Sequence, residues 1–151
     1  MKKTSQLETL RMLFSATEFL KSYLERSRPE LAPGKSATVS QLKVVSCILH
    51  SPGGKIRIKD IAKSLGITSG GVSQIVDNLV RDKLVIRHVS EEDRRVSWVS
   101  LSAEGNKRRR AIEEILDSLT IEVLADVPQE KQDTFNEVLS LLCSRLSEKV
   151  K

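Results

Sequence analysis

Apolar residues recur at three- and four-residue intervals near the start of the chain. Leu7, Leu10, Leu13 or Phe14, Thr17, Leu20 and Leu24 share one stripe, which predicts a helix over residues 5–27. The stretch 28–35 holds two prolines and a glycine and cannot continue it. A second helix opens at Thr38, where Thr38 and Gln41 form a capping box, and runs through Leu42, Val45 and Leu49. Ser51-Pro52-Gly53-Gly54 ends it, and Lys55 to Ile58 has room for a one-rung strand only. A short helix spans about 59–65 and stops at Gly66. Thr68 caps the next, which reaches Arg81 or Asp82. The pattern then turns to β-branched and large apolar residues over 84–88 and 96–101, flanking the polar tip 90–95, which predicts a β-hairpin. Ser102 caps a long helix over 103–125, with Ile112, Leu116, Leu119 and Val123 on one face. Pro128 opens the last helix, striped by Phe135, Val138, Leu139, Leu142 and Leu146.

This order predicts a mainly α fold with a small β-hairpin wing. Three parts follow: an N-terminal helix and linker over 1–37, a winged helix-turn-helix lobe over 38–102, and C-terminal helices over 103–151.

The segment from Ile61 to Val76 has a definite geometry. Ala62 is small enough for a second helix to pack close, and Gly66 makes the turn between the two. Ile61, Leu65, Ile67, Val72 and Ile75 are expected to fill the crease. The opposite face offers Thr68, Ser69, Gly70, Gly71, Ser73, Gln74, Asp77 and Asn78, small and polar groups suited to a DNA major groove. Gly70-Gly71 would let backbone approach the duplex. The hairpin behind this unit is a wing, and its tip carries Asp93, Arg94 and Arg95. Two arginines there suit a minor groove, where the potential is most negative. Asp93 is expected to pair with one arginine and aim the other. Ser40, Arg57 and Lys59 are the expected phosphate contacts.

Charge sharpens this picture. The chain of 151 residues has a net charge of +5, unevenly spread. Residues 1–54 carry net +4 and residues 55–110 net +6, while residues 111–151 carry net −5. A polyanion is drawn to the first two-thirds of the chain and repelled from the rest. Lys107-Arg108-Arg109-Arg110 points all round its helix, so at most two of the four can face DNA. Aromatic residues make up only 3%, so the core rests on Leu, Ile and Val.

Here the chain resembles the MarR family of bacterial and archaeal transcription regulators. The resemblance covers nearly the whole chain. Its most specific motif is Asp93-Arg94-Arg95 in the wing, followed by Val99-Ser100-Leu101-Ser102-Ala103-Glu104-Gly105. Two departures stand out. Gln74 and Asn78 occupy recognition-helix positions where the family usually has arginine, and Gln and Asn pair with adenine where Arg prefers guanine. Arg57 stands where a capping Thr is common. The resemblance implies a homodimer interlocked by the first and the last two helices, set over a pseudo-palindromic operator with half-sites roughly 10 bp apart. The terminal helices carry more Leu, Ile and Val than one small lobe can cover, which agrees.

The leading functional reading is a sequence-specific dimeric DNA-binding repressor relieved by a small-molecule effector. The effector pocket is expected between the first, second and fifth helices, with aliphatic walls. Two alternatives fit the same sequence: a low-specificity architectural DNA binder, and a winged-helix protein-protein adaptor. Catalysis is not expected, since no nucleophile-base pairing, glycine-rich phosphate loop or H-E-x-x-H stands in the chain. No cofactor is expected. Cys47 and His50 have ligand spacing on one helix face but too few companions for a metal site. Cys47 and Cys143 read as buried reduced thiols. No apolar run approaches the ~18 residues of a membrane span, and the N-terminus lacks a signal-peptide pattern, so a cytoplasmic location is expected.

Overall fold

The computed structural model describes residues 5–27 and 29–150. Helix α1 (Gln6–Ser27) leads into a two-stranded hairpin, β1 (Glu30–Ala32) and β2 (Lys35–Ser36). Helix α2 (Val39–Leu49), a 3₁₀ turn at Pro52–Gly54 and strand β3 (Lys55–Arg57) follow. Then come α3 (Ile58–Leu65), α4 (Ser69–Arg81), β4 (Val85–Val89) and β5 (Ser97–Leu101). The chain ends with α5 (Ala103–Lys107), α6 (Arg109–Leu124) and α7 (Gln129–Lys149).

Local chemistry accounts for most boundaries. Thr38 accepts the Gln41 N–H at 3.2 Å while the Gln41 side chain accepts the Thr38 N–H at 2.9 Å, so both halves of the capping box form. Thr68 Oγ1 accepts the Gly71 N–H at 3.1 Å and starts α4. Gly66 ends α3 in the left-handed region at φ 65°, where a side chain is strained. Ser102 caps α5 by accepting the Gly105 N–H at 2.9 Å.

The sheet is antiparallel in the order β3-β5-β4. Ile56, Val99 and Arg87 share one rung, and Arg57, Trp98 and His88 the next. The core gathers Val44, Val45 and Ile48 of α2, Ile61 of α3, Val72, Val76 and Leu79 of α4, Val85 and Val99 of the sheet and Ile112 of α6, all buried. Leu31 and Ala32 join this core.

Strand β3 pairs with β5 at three positions where one rung is expected, and further features differ from the sequence expectations. The stretch 30–36 is not a bare linker: Glu30 pairs with Ser36 and Ala32 with Lys35 across a tight turn. Ile67 is 43% exposed instead of filling the crease, because it sits in the turn beyond Gly66; Val76 and Leu79 do the packing. The long helix over 103–125 breaks at Arg108, whose N–H is shared between the Glu104 and Gly105 carbonyls at 3.3 and 3.2 Å. That sharing tightens the last turn of α5 and re-aims the chain into α6. Cys143 is exposed on α7, which has no buried residue, while Cys47 is half-buried. Burial pushes the Cys47 thiol above its ordinary range, and a hydrogen bond with Ser64 offsets part of this.

The terminal helices contribute little to the core: Leu24 of α1 packs against its edge. Neither α1 nor α7 buries a residue. Leu7, Phe14 and Phe19 of α1, Ile121 of α6 and Phe135 and Leu146 of α7 all expose more than half their surface.

Candidate nucleic-acid interface

Helix α4 packs against α3 and α2 and buries Val72, Val76 and Leu79 in the core. Burial of that stripe turns Ser69, Gly70, Gln74, Asp77 and Asn78 outward, all exposed. Thr68 is exposed too, but its hydroxyl is occupied by the cap. Gly71 and Ser73 are half-buried. A Cβ added at Gly70 would meet nothing within 4 Å, whereas one at Gly71 would lie 3.3 Å from Thr68 Oγ1. The protein's own packing therefore does not require a glycine at 70, and the open backbone there faces outward.

The wing tip places Asp93, Arg94 and Arg95 in solvent. Asp93 does not pair with a guanidinium among the described residues; its carboxylate accepts the Arg95 backbone N–H at 2.9 Å. The Asp93 carbonyl accepts the Val96 N–H at 2.9 Å, and Ser90 Oγ accepts the Asp93 N–H at 3.3 Å. Asp93 thus shapes the turn, and both arginine side chains are left to the surroundings. Short polar side chains commonly bond their own backbone two residues on, and here that outcompetes an exposed ion pair.

Among the expected phosphate contacts, Ser40 on the first turn of α2 and Lys59 on the first turn of α3 are exposed. Arg57 is already engaged. It donates to both carboxylate oxygens of Asp60 at 2.6 and 3.2 Å, and its guanidinium lies 5.6 Å from the Trp98 ring centre. Lys55 sits over the same ring at 5.5 Å, so Trp98 carries two cations on the outer face of the sheet. In the basic run, Lys107 pairs with Glu104 at 3.6 Å, Arg109 with Glu113 at 2.9 Å and Arg110 with Glu114 at 3.0 Å. Most of its charge is answered within its own helices.

Two residues escaped the sequence reading. Arg87 points from β4 to α4 and donates to Ser73 Oγ at 2.9 Å. The period of the strand held the signal: Arg87 shares the inner face with Val85, and a charge there calls for a partner. Trp98 carried no comparable signal, because its cations come from β3 and meet it only through strand register.

A cleft of about 300 Å³ opens between the end of α2, the 3₁₀ turn, β5 and the start of α6. Ile48, Leu49 and Leu101 give it apolar walls, and Lys55, Asn106 and Arg109 add polar ones. It is more polar than the aliphatic pocket expected, and α1 does not line it.

The MarR family model matches residues 37–96, which span α2 to the wing tip. An uncharacterised HTH-type transcriptional regulator of Bacillus subtilis strain 168, YfiV, is 32% identical over 112 residues, covering 72% of this chain and 67% of YfiV. The chain belongs to the MarR family. It is a DNA-binding transcriptional regulator with a winged helix-turn-helix and not an enzyme. A second relative from the same organism, the HTH-type transcriptional repressor YetL, is 26% identical over 117 residues, 76% of this chain and 68% of YetL. The MarR fold is also that of Sco3205 from Streptomyces coelicolor, solved in complex with DNA. It superposes with a TM-score of 0.74 at 22% identity, covering 97% of this chain and 91% of that one. No described helix is long and apolar enough to cross a membrane.

Proposed function

We propose that this MarR-family chain is a sequence-specific repressor, active in the cytoplasm as a homodimer on a pseudo-palindromic operator. One observation carries the reading: the outward face of α4 and the two arginines of the wing tip belong to one lobe, while α1 and α7 bury no residue and leave much of their apolar stripes exposed among the described residues. A second copy covering those stripes sets two recognition helices at a fixed spacing. Ser69, Gly70, Gln74 and Asn78 enter the major groove. Thr68 caps the helix at its mouth, and Gly71 and Ser73 stand behind. Arg94 and Arg95 reach the minor groove from a tip shaped by Asp93. Ser40 and Lys59 take phosphates; Arg57 does so only through the outer edge of its pair with Asp60.

Repression is favoured by the resemblance to YetL, named a transcriptional repressor. Relief by a small molecule is favoured by the cleft between lobe and α6, since an occupant there would bear on the joint between them. Its mixed walls suit a small anion with an apolar body. A few kcal/mol of coupling is enough to release DNA.

The test is a mobility-shift titration of the full chain on its own promoter region against random competitor DNA at several salt concentrations. Preference for a two-fold-related site supports the proposal. Salt-dependent binding with no preference for any sequence points instead to an architectural role. Absence of salt-dependent binding leaves the adaptor reading.

A further inference from the structure

Helix α4 has no cation before Arg81 at its last position, and Asp77 adds a negative charge to its exposed face. A helix entering a groove lined with phosphates is poorly served by that. The guanidinium of Arg87 arrives from the wing strand. One terminal nitrogen, Nη2, donates to Ser73 Oγ at 2.9 Å, and the other, Nη1, lies 3.4 Å from Asp77 Oδ1. Ser73 and Asp77 are one helical turn apart, so they hold the flat group along α4 from two points. Its Nε is buried with no hydrogen-bond partner among the described residues. The side chain as a whole keeps 30% of its surface open.

We propose that Arg87 is a base-reading residue of this regulator, a guanine reader supplied to the recognition helix by the wing. Each terminal nitrogen carries two N–H groups; Nη2 spends one on Ser73, and Nη1 stands in ion-pair range of Asp77. Both terminal nitrogens thus keep N–H groups to donate, and a guanidinium offering one from each matches the paired acceptors O6 and N7 of guanine. Ser73 and Asp77 are positioning residues, and Asp77 gains a role that DNA binding alone does not give it. The inference rests on the DNA-binding reading above and adds a specific base to it.

Selection of duplexes from a random library by the full-length protein tests it, with thermal melting of each variant alongside. The unaltered protein should enrich one guanine per half-site. Arg87→Lys keeps the charge and most of the stem, so it should keep the salt dependence. It should still lose about 10- to 100-fold of the preference at that one position. Arg87→Gln should lose the same preference and flatten the salt dependence as well. Asp77→Asn should relax the same position partly, leaving the rest of the site unchanged. Unchanged preference at every position in both Arg87 variants overturns the inference, whether or not overall affinity falls. If Arg87→Gln melts early, Arg87→Lys decides. Should the unaltered protein show no salt-dependent binding to any duplex, the DNA-binding reading fails with it, a result distinct from the first.

Discussion

Gly105 lies so close to the Leu84 carbonyl that a Cβ at position 105 would stand 2.1 Å from its oxygen. The same carbonyl accepts the Ser102 N–H at 3.0 Å. Leu84 enters the wing and Gly105 opens the run of C-terminal helices, so this contact joins the DNA-binding lobe to the helices proposed for dimerisation. Gly105→Ala should destabilise the fold by about 3 kcal/mol, because backbone cannot withdraw as a flexible side chain can. Denaturant unfolding checks this, and a shift below ~0.5 kcal/mol would mean the joint gives way easily.

Gly70 behaves oppositely. It is helical and open, so Gly70→Ala should stabilise α4 by about 0.5–1 kcal/mol. If the backbone there meets DNA, the same methyl should weaken operator binding about tenfold. Melting and mobility shift on one sample separate the effects. A more stable protein with undiminished binding would move Gly70 off the DNA.

At the wing, Arg94→Ala and Arg95→Ala should leave stability almost unchanged, since both side chains are exposed. Each should lower the slope of log affinity against log salt by about 0.9 for every phosphate that the shortened side chain no longer neutralises. Asp93→Ala removes the acceptor of the Arg95 N–H and should weaken binding through the shape of the tip, with the slope preserved.

Val138 on α7 is 50% exposed in the single chain. On a free surface Val138→Asp would change stability by no more than ~0.5 kcal/mol. Within a dimer seam it buries a charge and should yield monomers by analytical ultracentrifugation, with operator affinity falling in step. A dimer that survives the substitution puts the seam elsewhere.

The Cys47 thiol is held above its ordinary range, chiefly by burial. The folded state thus favours the protonated thiol. The stability this contributes is complete below the unfolded thiol's pKa and is lost as pH rises through the raised folded value. Alkylation of Cys47 in the native protein should begin at higher pH than in the denatured chain, as a mass-spectrometric pH series would show. Coincident curves would contradict it.

Much of this protein is legible in its residue pattern. Thr38 with Gln41, Thr68, Gly66 and Ser102 mark helix ends through hydrogen bonds and φ angles that span a few residues, so their positions follow from local chemistry. The α3–α4 unit, the wing and the polar outward face of α4 follow from periodicity, and the wing motif reveals the family. Contacts between elements were decided elsewhere. Arg87 reaches Ser73 and Asp77 only because β4 lies across α4 at one register. The helix over 103–125 breaks where the close approach of Gly105 to Leu84 pins its first turn, although the intervening residues suit a continuous helix. Asp93 turns from its arginines to its own backbone once the tip has closed. Local pattern says which residues are helical or buried. Which side chains meet across elements depends on how closely the packed backbones approach, and only the tertiary structure sets that distance.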